Sequence, residues 1–354
     1  MFFSYARTVK GFGYIEFGAP FDEFQKSVKN IFQVDWRLEV WRSPQIGVPS
    51  RREGSFLLRK YHIYTRDDGM RVIVFYGRSP LDILRRQFVD VSEELTLTGT
   101  VDDLMKQLVT DYLVGAPAAY ATVPSGEFEV ESDTSEGPNI SDEFYLDNLL
   151  DALKDLQNTA ESLNLENSAN KKIYFDVIET DGLVTNGFGY TFRTWSTLRG
   201  GDRTKGITFS IENGNIRNPS YYEDYNDEFT YAHVRNKDNS SYNAVAISPD
   251  ATLSRWNVAR IAESSSEASA STNLSKAYKK LGENAAQKRL SVTFVNSPGG
   301  PSQPRSLYGL DWDLGDLLPV LYGGRAFQAE VMVIYVSMSE DGTENITGMN
   351  RLGE

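Results

Sequence analysis

Short runs in which aromatic or β-branched residues alternate with polar ones fill the first third of the chain. Such alternation is typical of strands that bury one face and leave the other polar. The runs cover residues 13–17, 36–41, 55–59, 61–65 and 70–76. Asp68-Gly69 separates the last two runs and is a common pair in tight hairpin turns. The first third therefore predicts a β-meander that could close into a small barrel.

Two helix starts follow the meander. Ser79 can cap the N-terminus of a short helix, and Pro80 suits its first position because the missing N–H would have no partner there. A second helix is predicted to begin at Thr100, which has Asp103 at the spacing of a capping box. Apolar residues at helical spacing continue this second pattern as far as Tyr112.

A strongly acidic stretch comes next, at residues 121–166. It holds twelve acidic residues and one basic residue, Lys154, in a chain whose net charge is −13. Its first part, up to residue 141, predicts an exposed loop, and leucines at helical spacing predict a third helix over residues 146–163. Nucleic-acid wrapping requires clustered Lys and Arg, so this stretch argues against it. A solvated face is one interpretation, and a surface that repels DNA or meets a basic partner is another.

Strand patterns return in the second half of the chain. They cover residues 172–178, 189–193, 206–211, 229–234, 290–295 and 330–337. A helix is predicted over residues 258–286. The sequence therefore predicts an α+β fold that is mainly β. The predicted divisions are residues 1–99, a β-barrel-like domain with a short helix, residues 100–168, an acidic helical insertion, and residues 169–354, a second β-rich block.

The composition excludes several classes of protein. The 354 residues include no cysteine, so disulfides and thiolate metal sites are excluded. No apolar run approaches the roughly 20 residues of a membrane span. The N-terminus lacks the basic start and long apolar stretch of a secretory signal. We therefore expect a soluble protein that is assembled in a cytoplasm.

Signatures of catalysis are sparse. The only histidines, His62 and His233, lie in strand-like contexts, and no Gly-x-Ser-x-Gly elbow, phosphate loop or zinc motif occurs. We therefore expect no enzymatic activity, no cofactor and no bound metal.

Two carboxylate clusters leave alternatives open. One contains Asp311, Asp313 and Asp316, and the other lies at residues 223–228 beside three tyrosines. Paired carboxylates could hydrolyse a sugar, and the first cluster resembles the start of a calcium loop without its later glycine and glutamate. Strand alternation offers a structural explanation for the first cluster. It predicts Leu310, Trp312 and Leu314 on one side, Asp311 and Asp313 on the other, and a turn at Gly315-Asp316.

Two blocks of sequence resemble the hub proteins found at the tail tips and baseplates of tailed phages. The first block contains the run at residues 36–41 and residues 71–86, where a strand ends in Gly77-Arg78-Ser and leads to a short helix that ends in Arg85-Arg86, as in siphophage tail hubs. In the second block, a long Ala/Leu/Lys helix and a strand precede the run at residues 308–316. Together the blocks cover about half of the chain. The residues expected to serve structure or assembly are Gly77, Arg78, Arg85, Arg86, Trp312, Gly315 and Asp316.

The resemblance implies a structural role, similar to that of the central hub of contractile tails. Such a hub is a homotrimer with two tail-tube-type β-barrel domains in each subunit, and it joins the hexameric tail tube to a three-fold tip. The implied partners are the tail tube, distal tail, tape-measure and tip or spike proteins, with DNA only in passage through the lumen. The implied location is the virion, after assembly in the host cytoplasm. The alternatives are a carbohydrate-active tail enzyme and a receptor-binding module.

Overall fold

The computed structural model describes residues 2–28, 34–91, 93–117, 123, 126–166, 171–181, 188–249, 251, 258–266, 269–339 and 341–351. The strands are β1 Phe2–Thr8, β2 Tyr14–Pro20, β3 Arg37–Arg42, β4 Arg51–Thr65, β5 Arg71–Arg78, β6 Leu95–Thr100, β7 Phe128–Val130, β8 Asn139–Phe144, β9 Ile173–Asp181, β10 Phe188–Ser196, β11 Ile216–Asp224, β12 Tyr231–Asn236, β13 Ala244–Ile247, β14 Arg260–Ser265, β15 Gln287–Val295, β16 Leu317–Tyr322, β17 Arg325–Met338 and β18 Glu344–Arg351. The α-helices are α1 Phe21–Val28, α2 Val101–Val109, α3 Leu149–Glu166 and α4 Ala270–Glu283. Strands dominate, so the predicted α+β, mainly β fold class is confirmed.

The chain divides into two compact units. The first unit is built from residues 1–82, 199–220 and 290–353. The second unit is built from residues 83–198 and 221–289. The divisions predicted from the sequence are consecutive along the chain, whereas these units interleave. The physical reason is strand pairing, because β1 at the start of the chain pairs with β17 near its end.

The strands of the first unit form one ten-stranded sheet. Its order is β11-β15-β18-β17-β1-β2-β5-β4-β3, and β16 also pairs with β17. β17 is 14 residues long, so one of its edges has room for two strands. β16 pairs along residues 325–330 and β1 along residues 333–338. The β-rich blocks predicted at the two ends of the chain are therefore joined through one sheet.

Aromatic side chains form a hydrophobic cluster on one face of this sheet. Phe75 of β5 is fully buried and stacks on Phe17 of β2, with ring centroids 4.8 Å apart. Phe24 of α1 packs on the same ring at 4.9 Å. Full burial of each such side chain stabilises the fold by about 1.5–3 kcal/mol. α1 is therefore held on the sheet by its phenylalanines.

The second unit combines three small sheets with helices α2, α3 and α4. The sheets are β6-β8, β7-β10-β9 and β13-β12-β14. The predicted start of α2 is confirmed, because the Thr100 side chain accepts a hydrogen bond from the backbone N–H of Asp103. The predicted third helix is α3, and its leucines, including Leu153 and Leu156, are fully buried.

Two predictions in the second half of the chain are wrong, and one strand there was not predicted. The region predicted as one helix over residues 258–286 is a strand, β14, followed by the shorter helix α4. The serine-rich residues before Ala270 are weak helix formers, so the helix begins only where Ser269 caps it. Residues 206–211 form no described strand, and Phe209 makes a single bridge to Val320. β11 was not predicted, because Pro219 and its polar neighbours conceal the strand pattern.

Candidate assembly site

The segment at residues 308–316 is a series of turns and not the predicted strand. The backbone N–H of Asp311 donates to the carbonyl of Leu307 at 2.8 Å, and that of Gly309 donates to the carbonyl of Trp312 at 2.8 Å. Gly309 has a φ of 86°, which a glycine adopts without strain. Trp312 and Leu314 are buried as predicted, but the turns, not strand alternation, direct them inward.

Trp312 anchors this segment to the sheet. Its indole is fully buried and lies 5.9 Å from the ring of Phe294 and 5.4 Å from that of Tyr308, between centroids. The indole N–H donates to the carbonyl of Ser306 at 3.3 Å. A Cβ at Gly348 of β18 would lie 2.6 Å from the indole, so the fit requires glycine there. Trp312 therefore holds the segment on the sheet through close packing on β18.

A network of charged side chains surrounds the hydroxyl of Tyr308. Arg7 of β1 donates to this hydroxyl at 2.8 Å and lies 3.3 Å from a carboxylate oxygen of Asp313. The hydroxyl also makes a short hydrogen bond to Glu53 of β4. Arg51 bridges the two carboxylates, at 2.9 Å from Glu53 and 2.7 Å from Asp313. Two arginines thus neutralise two carboxylates around one buried phenol.

The electrostatics of the network follow from burial and from its charge balance. Burial opposes ionisation of Asp313, but Arg7 and Arg51 outweigh that effect and hold the pKa of its carboxyl below the ordinary value. Burial raises the pKa of the Tyr308 hydroxyl, so this group stays protonated. The neutral phenol therefore donates a hydrogen bond to Glu53 and accepts one from Arg7.

Arg51 and a further arginine, Arg42, lie over the ring of Tyr308. The guanidinium carbons of Arg42 and Arg51 lie 5.2 Å and 5.7 Å from the ring centroid, within cation–π range. Arg42 also makes two hydrogen bonds to Glu344 at the start of β18, at 2.8 Å and 3.1 Å. The segment at residues 308–316 therefore joins β1, β3, β4 and β18.

Gly315 and Asp316 hold a neighbouring part of the chain. Asp316 accepts hydrogen bonds from the backbone N–H of Gly201 at 2.7 Å and from Arg203 at 3.1 Å. Gly315 has a φ of 82°, and a Cβ at this position would lie 2.7 Å from the backbone nitrogen of Gly200. The predicted turn at these residues is confirmed, and it ties residues 200–203 to the strand β16.

The predicted residues of the first block lie in two different settings. Gly77 of β5 permits a close approach, because a Cβ there would lie 2.7 Å from Ile15. Arg78 pairs with Asp82 at 3.2 Å. Arg85 is exposed and Arg86 is half-buried, both on the 3-10 helix Pro80–Arg86. A role of these four residues in assembly stays a prediction.

Sequence reasoning missed five charged members of the cluster. They are Arg7, Arg42, Arg51, Glu53 and Glu344. One signal was available in β4, where Glu53 and Ser55 share the strand face of buried Leu57. A carboxylate at an inward strand position indicates a buried charged partner. The partners could not be derived, because Arg7 and Tyr308 lie 46 and 255 positions from Glu53 in the sequence.

Arginines account for the three aspartates that suggested calcium binding. Asp311 pairs with Arg305 at 2.8 Å, while Asp313 and Asp316 have the arginine partners given above. Within the described ranges, no group of three or more His, Asp or Glu side chains is arranged to hold a metal ion.

The second carboxylate cluster makes hydrogen bonds to its own tyrosines, and both histidines lie in strands. Glu223 accepts hydrogen bonds from the hydroxyls of Tyr221 and Tyr225 on an exposed surface. His62 and His233 lie in strands β4 and β12, as their sequence context predicted. Across the part of the chain that is described, no helix is both long enough and apolar enough to cross a membrane.

Comparisons with known proteins agree on the fold. No family model matches the chain, and no curated protein matches it. The 43 kDa tail protein of prophage MuSo2 from Shewanella oneidensis aligns with a TM-score of 0.55 at 12% identity, over 99% of this chain and 93% of the other. A tail protein from Neisseria meningitidis MC58 gives 0.52 at 13% identity, over 99% and 91%. Prophage tail protein gp18 from Listeria monocytogenes EGD-e gives 0.51 at 10% identity, over 99% and 87%. The chain thus has the fold of phage tail proteins, as the sequence resemblance predicted.

Proposed function

We propose that this chain is a non-enzymatic hub protein of a phage tail tip or baseplate. The observation that carries the proposal is the shared fold, which extends over 99% of this chain and 87–93% of three tail proteins. The second support is the cluster around Tyr308. Its two carboxylates are engaged with arginines, with the Tyr308 hydroxyl and with the backbone N–H of Leu314, as a structural cluster requires.

The proposed mechanism is geometric. Three copies form a ring that joins the hexameric tail tube to the three-fold tip. Ring closure would also protect the end strands of the large sheet, because exposed strand edges otherwise promote aggregation. The ring gates the release of the tape-measure protein and DNA. Its other partners are the tube, distal tail and spike proteins, and it resides in the virion after assembly in the host cytoplasm.

The charge distribution supports passage of DNA without binding. The first unit carries a net charge of +2 and the second −15 when the terminal Glu354 is counted with it, which together give the −13 of the chain. A surface dominated by carboxylates repels the phosphate backbone. We therefore expect no retention of duplex DNA by the purified protein at physiological salt.

The decisive measurement is the oligomeric state together with the position in the particle. Light scattering should give three times the 39.8 kDa mass of the chain. A map of the tail particle should place three copies at the junction between tube and tip. A protein that stays monomeric at high concentration, in particles without three-fold density at that junction, would refute the proposal.

A further inference from the structure

Two arginines lie directly opposite each other at the end of the β3–β4 hairpin in the first unit. Arg42 is the last residue of β3, and it pairs with Arg51, the first residue of β4. Like charges at directly opposed positions destabilise a strand pair. This end of the hairpin is therefore unstable unless negative groups neutralise it.

A β-bulge interrupts the strand ladder close to the arginine pair. Glu53 is the extra residue of β4, because the register shifts between Val40 and Trp41 of β3. A bulge leaves its extra residue unpaired and bends the strand. Beyond the bulge, the ladder holds only two residue pairs. Few backbone hydrogen bonds therefore hold the end of this hairpin together.

The tip that connects the two strands, residues 43–50, is held by its own contacts. The Ser43 hydroxyl lies 2.6 Å from the carbonyl oxygen of Val48, and the backbone N–H of Val48 donates to the carbonyl of Gln45 at 3.0 Å. Ile46 is 100% exposed. The tip can therefore move as one piece with the arginine pair.

Groups from another part of the first unit neutralise the two arginines. Arg42 makes two hydrogen bonds to Glu344 at the start of β18, and Arg51 lies 2.7 Å from Asp313. Both guanidiniums also lie within cation–π range of the Tyr308 ring. We call these contacts, between the two arginines of the hairpin and the three residues opposite them, the latch.

The latch consists of side chains and not of a strand ladder. Among the described residues, β3 pairs with β4 alone, and no backbone hydrogen bond joins β3 to β18. Water reaches the anions of the latch, because the side chains of Glu344 and Asp313 are 32% and 28% exposed. Ion pairs that water can reach are weak and are screened by salt. The latch can therefore release more easily than a ladder.

Glu53 marks the base of the part that the latch holds. Its side chain is fully buried and makes contacts with the Tyr308 hydroxyl and with Arg7 of β1. These contacts keep the bulge in place. Hinges are a few residues, often at the ends of elements, that absorb a change of backbone angle. The bulge at Glu53 is suited to this role because the ladder is already broken there.

We infer that residues 41–52 form a flap that opens about the bulge at Glu53, while the rest of the sheet stays paired, and that the latch holds the flap closed. Opening breaks two ladder pairs and the contacts of the latch, so it costs much less than unfolding of the unit. It frees Arg42 and Arg51 on one side and Glu344 on the other for contacts with other chains. The movement belongs to a single subunit and requires no ring.

Hydrogen exchange of the full-length protein, read by mass spectrometry, tests the flap. Arg42→Gln removes the charge that pairs with Glu344, so exchange of backbone amides in residues 41–52 should accelerate about tenfold, as expected for loss of a charge-assisted hydrogen-bonded pair. Exchange in β2 and β5 should stay unchanged. Glu344→Gln changes a more exposed side chain of the same pair and should accelerate exchange in the same residues.

Two further variants separate the latch from a general loss of stability. The exchanged pair, Arg42→Glu with Glu344→Arg, should restore most of the slow exchange in residues 41–52. Arg71→Gln removes an exposed ion pair with Asp22 in the same unit but outside the latch, and it should leave exchange in the flap unchanged. Raising the salt from about 0.05 M to about 1 M should accelerate exchange in the flap of the wild type more than in that of Arg42→Gln.

Two results would overturn the flap. One is unchanged exchange in residues 41–52 of both single variants. The other is equal acceleration in the flap, β2 and β5, which would mean that the unit opens as a whole. The measurement uses the purified chain and compares regions within it, so its result does not depend on whether the chain forms a trimer or lies at the tail tip. Failure of the flap and failure of the hub proposal are therefore distinguishable.

Discussion

The two units bury charge in different ways. In the first unit, Arg7 and Arg51 share two carboxylates and a phenol, so residues from both ends of the chain meet in one network. In the second unit, a single ion pair between Asp102 and Lys106 lies one helical turn apart on α2, at 3.0 Å and almost fully buried. The first arrangement depends on long-range pairing, whereas the second forms within one helix.

The ion pair of the second unit still depends on tertiary contacts. Asp102 accepts hydrogen bonds from the backbone N–H and the hydroxyl of Thr134, at 3.1 Å and 2.7 Å, and from the hydroxyl of Thr194. Burial opposes ionisation of Asp102, but these hydrogen bonds and Lys106 lower the pKa of its carboxyl. The comparison teaches that Asp313 and Asp102 stay ionised in buried positions because several donors replace water around each of them.

The largest expected effect concerns the packing that supports the first network. Trp312→Ala should destabilise the first unit by about 3–5 kcal/mol, because it leaves a large cavity beside Phe294 and Tyr308. Hydrogen exchange measured at increasing urea concentrations reports on each unit separately. Protection of backbone amides should fall in β18 of the first unit and not in α2 of the second. Trp312→Phe is the control and should cost less. Equal loss of protection in both units would show that the cluster is not local to the first.

Removing the ion pair of the second unit should have the next largest effect on stability. Asp102→Ala leaves Lys106 buried without its counter-charge and should cost about 3 kcal/mol in the free energy of unfolding. The double variant Asp102→Leu with Lys106→Met should recover most of that loss. Because the pKa of Asp102 is lowered in the folded protein, its ionised carboxylate stabilises the fold at any pH above the ordinary pKa of an aspartate. This stabilisation is lost as the pH falls through the pKa of the folded state. The Asp102→Asn variant should therefore lack this pH-dependent part of its stability, which acid unfolding monitored by circular dichroism measures.

The two carboxylates of the first network should differ in how much they stabilise the protein. The Glu53 side chain is fully buried and that of Asp313 is 28% exposed. Glu53→Gln should therefore cost about 2 kcal/mol, and Asp313→Asn about 1 kcal/mol because water can reach its partners. Chemical denaturation in 0.05 M and in about 1 M salt checks this order, since salt screens the exposed pair more. An equal cost for both variants would contradict the structural ranking.

An effect of similar size concerns a carboxyl that lacks sufficient donors. Burial raises the pKa of Asp142 in β8 to about 6, although Lys279 acts in the opposite direction. The folded state therefore holds this proton more tightly, and stability from this group falls as the pH rises from about 4 to 6. The free energy of unfolding of Asp142→Asn, relative to that of the wild type, should therefore be about 1–2 kcal/mol higher at pH 7.5 than at pH 4.5. Denaturation midpoints at both pH values measure this gain, and a pH-independent difference would contradict the assignment.

Local patterns predicted the parts of the fold that depend on local interactions. The Thr100 cap, the buried leucines of α3 and the strands around residues 71–78 follow from capping, helical spacing and alternation. The failures share a cause. Serine-rich residues before α4 and Pro219 in β11 weaken the local signal, and long-range pairing then determines the structure.

The candidate site was predicted only in part. Trp312 and the turn at Gly315-Asp316 could be identified from apolar spacing and turn chemistry. The aspartates were assigned to a strand, because Asp311 and Asp313 alternate with apolar residues. Only the folded chain brings Arg51 to Asp313 and Arg203 to Asp316.

By itself, the sequence determined the mainly β class of this protein, the absence of disulfides, the uneven charge and the resemblance to tail hubs. These properties depend on composition and on neighbours within one turn or one strand. The tertiary structure alone decided that β1 and β17 share a sheet and that Arg7 reaches Tyr308. The physical reason is that strand registers and buried ion pairs join residues far apart in the chain, and no local pattern specifies those partners.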